Sequence, residues 1–196
     1  MSYYRQLKFR KFTILCVDPG IVATGYAIYT HTLRKNQPSR VLVESGLIRP
    51  NNREKDINAR ASYIAGALRF ISQQSTIDRV YVEQPPQTIY NARKSTKDRL
   101  IARAQSVFKT FAVAYMILGM LYTIRTGTVL PVQWEPSKKK RCGMEIKAWS
   151  LNTANEIIKK IGMQPKRLHT KLDENEADAI NIGDAILNKL ESGEWR

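Results

Sequence analysis

Cysteine and histidine are scarce in this chain: Cys16 and Cys142 stand far apart with no Cys-x-x-Cys pair, and the only histidines are His31 and His169. That supply excludes a disulfide scaffold and a structural zinc site. Any metal held here is therefore a hard cation on oxygen ligands, and so few thiols suit the reducing cytosol. Long apolar runs are missing too. The longest, Phe111 to Tyr122, lies between Lys109 and Arg125; it is too short to span a bilayer and reads as a buried helix. The N-terminal Met-Ser-Tyr-Tyr-Arg-Gln-Leu-Lys has neither the apolar stretch nor the small-residue cleavage site of a secretory signal, so export is not expected. Acidic residues are few, 17 Asp and Glu against 32 Lys and Arg, for a formal charge of +15 on 196 residues. A surplus of that size calls for a polyanionic partner.

With no internal repeat, low-complexity tract or long linker to divide it, the chain reads as one domain over 12–196, preceded by a basic arm over 1–11 that holds Arg5, Lys8, Arg10 and Lys11. The β-rich run Phe12 to Val17 stops at Asp18-Pro19-Gly20, a turn signal. Val22 to Tyr29 and Val41 to Ile48 supply two more strands, and the short polar connection between them predicts a three-stranded antiparallel meander. The period then changes: Ile57, Ala61, Ile64, Ala65, Leu68 and Ile71 are spaced for one face of an amphipathic helix ending near Gln74. Arg79 to Glu83 reads as a strand stopped by Gln84-Pro85-Pro86. A helical pattern over Arg99 to Ile124 is expected to end at Gly127, with a further strand over Thr128 to Gln133. Helices over about 145–161 and 174–190 complete a fold class of α/β type, a five-stranded mixed sheet flanked by helices.

Two carboxylates sit at strand ends, Asp18 after an apolar strand and Glu83 after another. If those strands are neighbours, the two groups converge on one point, and their repulsion calls for a cation. Asp178 lies on the last helix, where small Ala177 and Ala179 permit close approach to the sheet, so it can reach the same point. Each residue alone has an ordinary structural reading: a turn cap, an arginine partner, a solvated helix residue. Three of them at the expected ends of the expected elements suit two magnesium or manganese ions that activate water in phosphodiester hydrolysis.

Ile14-Leu15-Cys16-Val17-Asp18-Pro19-Gly20, continued by Thr24-Gly25-Tyr26-Ala27-Ile28, resembles the opening motif of RuvC-type Holliday-junction resolvases. Val82-Glu83-Gln84 is similar to that family's second motif, and Glu176-Ala177-Asp178-Ala179-Ile180 to its last. The resemblance implies a ribonuclease H-like fold, a homodimer, two Mg2+ or Mn2+ ions per site, and paired cuts in four-way junction DNA during recombination and repair. It also implies an intracellular, nucleic-acid-associated setting, the cytoplasm of a bacterium or of a virus-infected host, or an organelle. Carried over by position, Asp18, Glu83 and Asp178 match three metal ligands. Asn175 stands where the family has aspartate or histidine, with Glu174 and Asp173 close enough to substitute. On a helix, residues three apart share a face, so Asn175 can stand beside Asp178 and offer its carbonyl oxygen; it is taken as the fourth ligand, with Glu174 as the alternative. On charge alone, Asn175→Asp is expected to tighten metal binding. Lys138 and Lys147 fall near two family lysines of the active site. The family's stacking aromatic is replaced by Pro85-Pro86, which leaves Tyr90 as the alternative.

The Phe111 to Tyr122 stretch is either interior core or the surface that joins two copies. Gly20 and Gly25 frame a Gly-x-x-x-x-Gly loop, but the Lys-Ser/Thr of a phosphate-binding loop is absent, so no nucleotide cofactor is expected. The chain is too short for the two domains of an actin-like ATPase. Two other readings remain open, another ribonuclease H-like nuclease and a junction-binding protein whose metal site has decayed.

Overall fold

The computed structural model describes residues 11–32, 39–85, 97–136, 144–161, 166–167 and 171–193. Its sheet is built on the apolar run before Asp18. β1 (Lys11–Asp18) has Ile14, Leu15, Cys16 and Val17 fully buried, and a continuous apolar strand of this kind belongs inside a sheet covered on both faces. On one edge β2 (Thr24–Thr32) pairs antiparallel with it, placing Asp18 opposite Gly25, and β3 (Ser39–Ile48) pairs antiparallel with β2. This is the expected meander. On the other edge β4 (Arg79–Glu83) runs parallel to β1 with Val17 opposite Val82, and β5 (Arg125–Val129) runs parallel to β4. These strands form the expected five-stranded mixed sheet. A two-residue β6 (Lys166–Arg167) extends it beyond β3, giving the order β5-β4-β1-β2-β3-β6.

Side chains alternate across β1, so its two faces are covered by different helices. Leu15 and Val17 pack with Ala61, Ile64 and Leu68 of α1 (Ile57–Gln74) and with Val113 and Ile117 of α2 (Lys97–Met120). Ile14 and Cys16 pack with Ala154 of α3 (Ile146–Ile161) and with Ala177 and Ile180 of α4 (Glu174–Ser192). Asp56 caps α1 by accepting from the Asn58 N–H. α4 is capped by Asp173, which accepts from the Asn175 N–H, and ends at Gly193, whose φ of 76° is the left-handed conformation that stops a helix. Among the described residues no helix is long and apolar enough to cross a membrane.

Two boundaries differ from the sequence reading. α2 stops at Met120, and Gly127, expected to end it, lies inside β5 opposite Tyr81. There a Cβ would come within 3.2 Å of the Tyr81 ring, so the missing side chain makes room for Tyr81 over the strand. β5 is an edge strand, mostly exposed, and so carries no apolar run to announce it. The strand expected over Thr128 to Gln133 stops at Val129, because Pro131 has no N–H for a ladder and opens a 3-10 turn over Pro131–Gln133. Lys11 of the expected basic arm is the first residue of β1, and the rest of that arm lies outside the described residues.

α4 lies against nearly bare backbone. A Cβ on Gly25 would sit 1.8 Å from the Asn175 carbonyl oxygen, and one on Gly183 would sit 2.3 Å from the Tyr29 ring. Ala177 and Ala179 are fully buried, and the Tyr29 hydroxyl donates to the Ile180 carbonyl at 2.9 Å. Gly183→Ala should therefore force α4 and Tyr29 apart and lower stability by about 1–3 kcal/mol, read as an earlier midpoint in chemical denaturation.

Candidate active site

The parallel register of β1 and β4 decides where the first two carboxylates lie. With Val17 opposite Val82, the next residues, Asp18 and Glu83, stand side by side at the carboxyl ends of neighbouring strands. Their carboxyl groups face each other closely enough that each shifts the other's protonation. Glu83 Oε1 also accepts from the Trp134 indole N–H at 3.1 Å. Asp178 comes from α4 on one face of the sheet, and the Ser150 hydroxyl of α3 donates to its Oδ1. That hydroxyl is oriented in turn: the Asn181 amide donates to Ser150 Oγ at 2.8 Å and to the Ser150 carbonyl at 3.0 Å, which leaves the serine proton for Asp178.

These carboxyls are held against their preference for charge. Burial is the main cause that pushes Asp18 up to about 7, with the negative charge of Asp178 adding to it and the bond to Glu83 opposing it. Burial and the neighbouring Asp18 hold Glu83 well above the usual carboxylate range. Burial raises Asp178 to about 6, against the lowering effect of the Ser150 hydroxyl. Glu135, just after the 3-10 turn, adds negative potential at both Asp18 and Asp178.

The remaining site residues fall as follows. The Asn175 side chain reaches the β1–β2 turn, its Nδ2 donating to the Ala23 carbonyl at 2.7 Å. Glu174, the alternative, is paired with Lys147 Nζ at 2.6 Å, and Asp173 with Arg49 at 2.8 Å. Lys147 is thus on α3 at the rim, largely exposed, beside the first turn of α4. Lys138 and Tyr90 lie outside the described residues. An open cleft of about 1030 Å³ lies on the Asn175 side of the β1–β2 turn, lined by that turn, Arg49, Ser106 and Thr110, and by residues 171–175, with Asp18, Glu83 and Asp178 outside its lining. Trp134, Ser150 and Asn181 were not singled out from the sequence. Ser150 carried the one usable signal, a small polar residue on the apolar face of an amphipathic helix; Trp134 carried none.

Among the described residues no three His, Cys, Asp or Glu side chains, as placed, could hold one ion together. Asp18 and Glu83 are turned to each other and Asp178 to Ser150. The donor chemistry nevertheless fits a divalent hard cation: carboxylate oxygens, crowded and partly buried, raised in pKa first by that burial and, at Asp18 and Glu83, further by neighbouring negative charge.

A central mixed sheet of this strand order, flanked by helices on both faces, is the ribonuclease H-like fold. Solved structures on this fold include RuvC of Thermus thermophilus, with a TM-score of 0.62 and 16% identity over 93% of this chain and 97% of that one. The same protein in complex with a Holliday junction substrate gives 0.62 at 14% identity with the same coverage. The yeast mitochondrial Holliday junction resolvase gives 0.51 at 10% identity over 92% of this chain and 81% of its own. At such identities the likeness is one of fold. No family model and no curated protein matches the sequence.

The raised pKa values carry a stability consequence. The folded state binds these protons more tightly than the unfolded chain, so their contribution is complete below the unfolded value near 4 and is lost as pH rises through about 6 and about 7. In metal-free buffer Asp18→Asn should therefore melt several degrees above the parent chain at pH 8. The gain should shrink toward zero as pH falls to 4, as followed by calorimetry across that range.

Proposed function

We propose that this chain is a divalent-metal-dependent endonuclease that resolves four-way DNA junctions by paired phosphodiester hydrolysis. The observation that carries the reading is the adjacency of Asp18 and Glu83 at the ends of two parallel strands, with Asp178 delivered by α4 within electrostatic range of Asp18. Asp18, Glu83, Asp178 and the Asn175 carbonyl oxygen would hold two Mg2+ or Mn2+ ions. Bound there, such ions supply an activated water and stabilise the leaving oxygen. The protein's own part is to keep the ligands in place. Trp134 fixes Glu83, the Asn181–Ser150 pair fixes Asp178, and Asp18 and Glu83, both raised in pKa, must lose their protons to ligate.

The substrate class rests on charge and on the company the fold keeps. A formal charge of +15 suits a polyanion, and RuvC on the same fold has been captured with a Holliday junction. Lys147 and Lys138 are the cations proposed to meet the phosphates beside the cut. Lys147 is held at the rim by an exposed ion pair with Glu174, a weak contact that a phosphate can replace. The setting is a DNA-containing compartment of the cell.

Two cuts placed symmetrically call for two copies of the chain, and α2 offers a seam. Its Val113, Ala114 and Ile117 are core, while Ile101, Phe108 and Tyr115, seven residues apart, are exposed, as is Tyr122 just past its end. Phe111 stacks on Tyr115 with ring centres 5.9 Å apart. A seven-residue apolar repeat is the pattern by which one helix packs along another, so a second copy of α2 is the proposed occupant.

With Mg2+ or Mn2+, the protein should cut a four-way junction in preference to linear duplex or RNA–DNA hybrid. Asp18→Asn should bind the junction with parental affinity yet cut at least about a hundredfold more slowly, because binding rests on the basic surface and cutting on the ligand. Equal cutting of all three substrates would indicate another nuclease of this fold, and binding without cutting a junction-binding protein. Separately, Phe108→Glu with Tyr115→Glu should give monomers in sedimentation where the parent chain gives dimers. A monomeric parent, with and without junction DNA, would count against the paired-cut reading.

A further inference from the structure

The turn that follows Asp18 is held at its carbonyls by side chains from three other elements. The Thr24 hydroxyl of β2 donates to the Gly20 carbonyl at 2.8 Å and accepts from the Gly20 N–H at 3.2 Å. Arg60 of α1 donates through Nε to the Ile21 carbonyl at 3.0 Å. Asn175 of α4 donates through Nδ2 to the Ala23 carbonyl at 2.7 Å. Asn175 meets the turn region a second time, because its own carbonyl lies where a Cβ on Gly25 would be, 1.8 Å away. The first turn of α4 and the backbone after Asp18 are thereby fastened to each other through one residue.

Only a donor can make the bond to Ala23. A carboxylate in place of the amide has acceptors alone, and at this distance it would set a negative oxygen against a carbonyl oxygen. The backbone carbonyl would lose its partner and the turn would be pushed from α4. Asparagine, by contrast, can give its N–H to the turn and keep a carbonyl oxygen for a cation.

We propose that Asn175 is a positioning residue for Asp18, holding the turn after Asp18 to α4 through its amide, so that an aspartate at 175 loosens the metal site instead of tightening it. The inference rests on the metal-dependent nuclease reading and reverses the sign that charge alone gives. Asn175→Ala removes both the donor and the oxygen, Asn175→Asp keeps oxygen and removes the donor, and Asn175→His keeps an N–H close to the place of the amide nitrogen.

The test uses the full chain and these variants, each first checked by circular dichroism and thermal melting for an intact fold. Backbone hydrogen exchange of residues 20–24 is measured without metal or DNA. Mn2+ affinity is measured by calorimetry, and the Mn2+ concentration for half-maximal cutting of a four-way junction is measured alongside it. Asn175→Asp and Asn175→Ala should speed exchange in the turn by about fivefold, the size set by one net hydrogen bond, and should both raise the Mn2+ requirement; Asn175→His should leave exchange near the parental rate. If Asn175→Asp leaves exchange unchanged and lowers the Mn2+ requirement, position 175 is an ordinary ligand and the proposal is overturned. Faster exchange with an unmoved Mn2+ requirement also overturns it, since the bond would then be architectural only. If the parent chain neither binds Mn2+ nor cuts, the nuclease reading fails first, and the anchoring claim stands or falls on the exchange rates of the three variants.

Discussion

Much of this structure follows from how near α4 comes to the backbone of β1 and β2. A helix ordinarily keeps its distance from a sheet by the thickness of the side chains between them. Here Gly25 and Gly183 remove side chains at the contact points, and Ala177 and Ala179 keep the helix face shallow. The approach lets a side chain as short as aspartate, at 178, act on a group at the end of β1. It also brings the Tyr29 hydroxyl to the Ile180 carbonyl, inside the helix, where a buried phenol would otherwise lack a partner. The far end of α4 is tied down by charge. Arg40 of β3 donates to Asp184 at 2.9 Å, to Asn188 at 2.7 Å and to Glu191, and His31 of β2 meets Glu191 at 2.7 Å.

Charge is distributed unevenly around that helix. At its amino end Asp173 and Glu174 each face a cation, Arg49 and Lys147, at the rim of the cleft. One turn further in, Asp178 faces a hydroxyl instead, and Asp18 and Glu83 face each other. The cations are thus kept at the rim, with hydroxyl and indole donors inside. Exposed ion pairs contribute little to stability, so the rim can exchange its partners at low cost while the buried carboxyls keep theirs.

How far the sequence could be read depended on whether a residue's role was local. Central strands announce themselves, because burial on both faces demands an unbroken apolar run; β1 and β4 were legible along with the carboxylates that end them. The edge strand β5 has no such run, and its Gly127 read as a helix stop when its purpose is room for Tyr81. Within Glu174-Asn175-Glu176-Ala177-Asp178 the sequence offers three acids, and Asp178 is marked among them by its small neighbours and by the motif it resembles, with Asn175 marked by its place in that motif. Glu176 is fully buried on another side, where it accepts from the Ser45 hydroxyl at 2.7 Å. Trp134 and Ser150 act only across tertiary contacts, and no local pattern marks a tryptophan as the donor to a particular glutamate. The hydrogen bond from the Asn175 side-chain amide to the Ala23 carbonyl belongs to the same kind, joining residues 152 positions apart.

The two faces of the sheet are closed by helices from opposite parts of the chain, and this gives the molecule a history as it emerges from a ribosome. Leu15 and Val17 find cover in α1, which follows the meander directly. Ile14, Cys16, Ala27 and Tyr29 wait for the late helices α3 and α4, and Ile180 of α4 lies 151 residues beyond Tyr29. Throughout that interval the nascent protein presents a half-clad sheet, sticky on one side and carrying an incomplete set of acids at its end. Such surfaces are where growing chains associate wrongly. Arrival of α4 therefore closes the exposed face and, in the same event, adds the third acid, Asp178, to the pair that β1 and β4 already hold side by side.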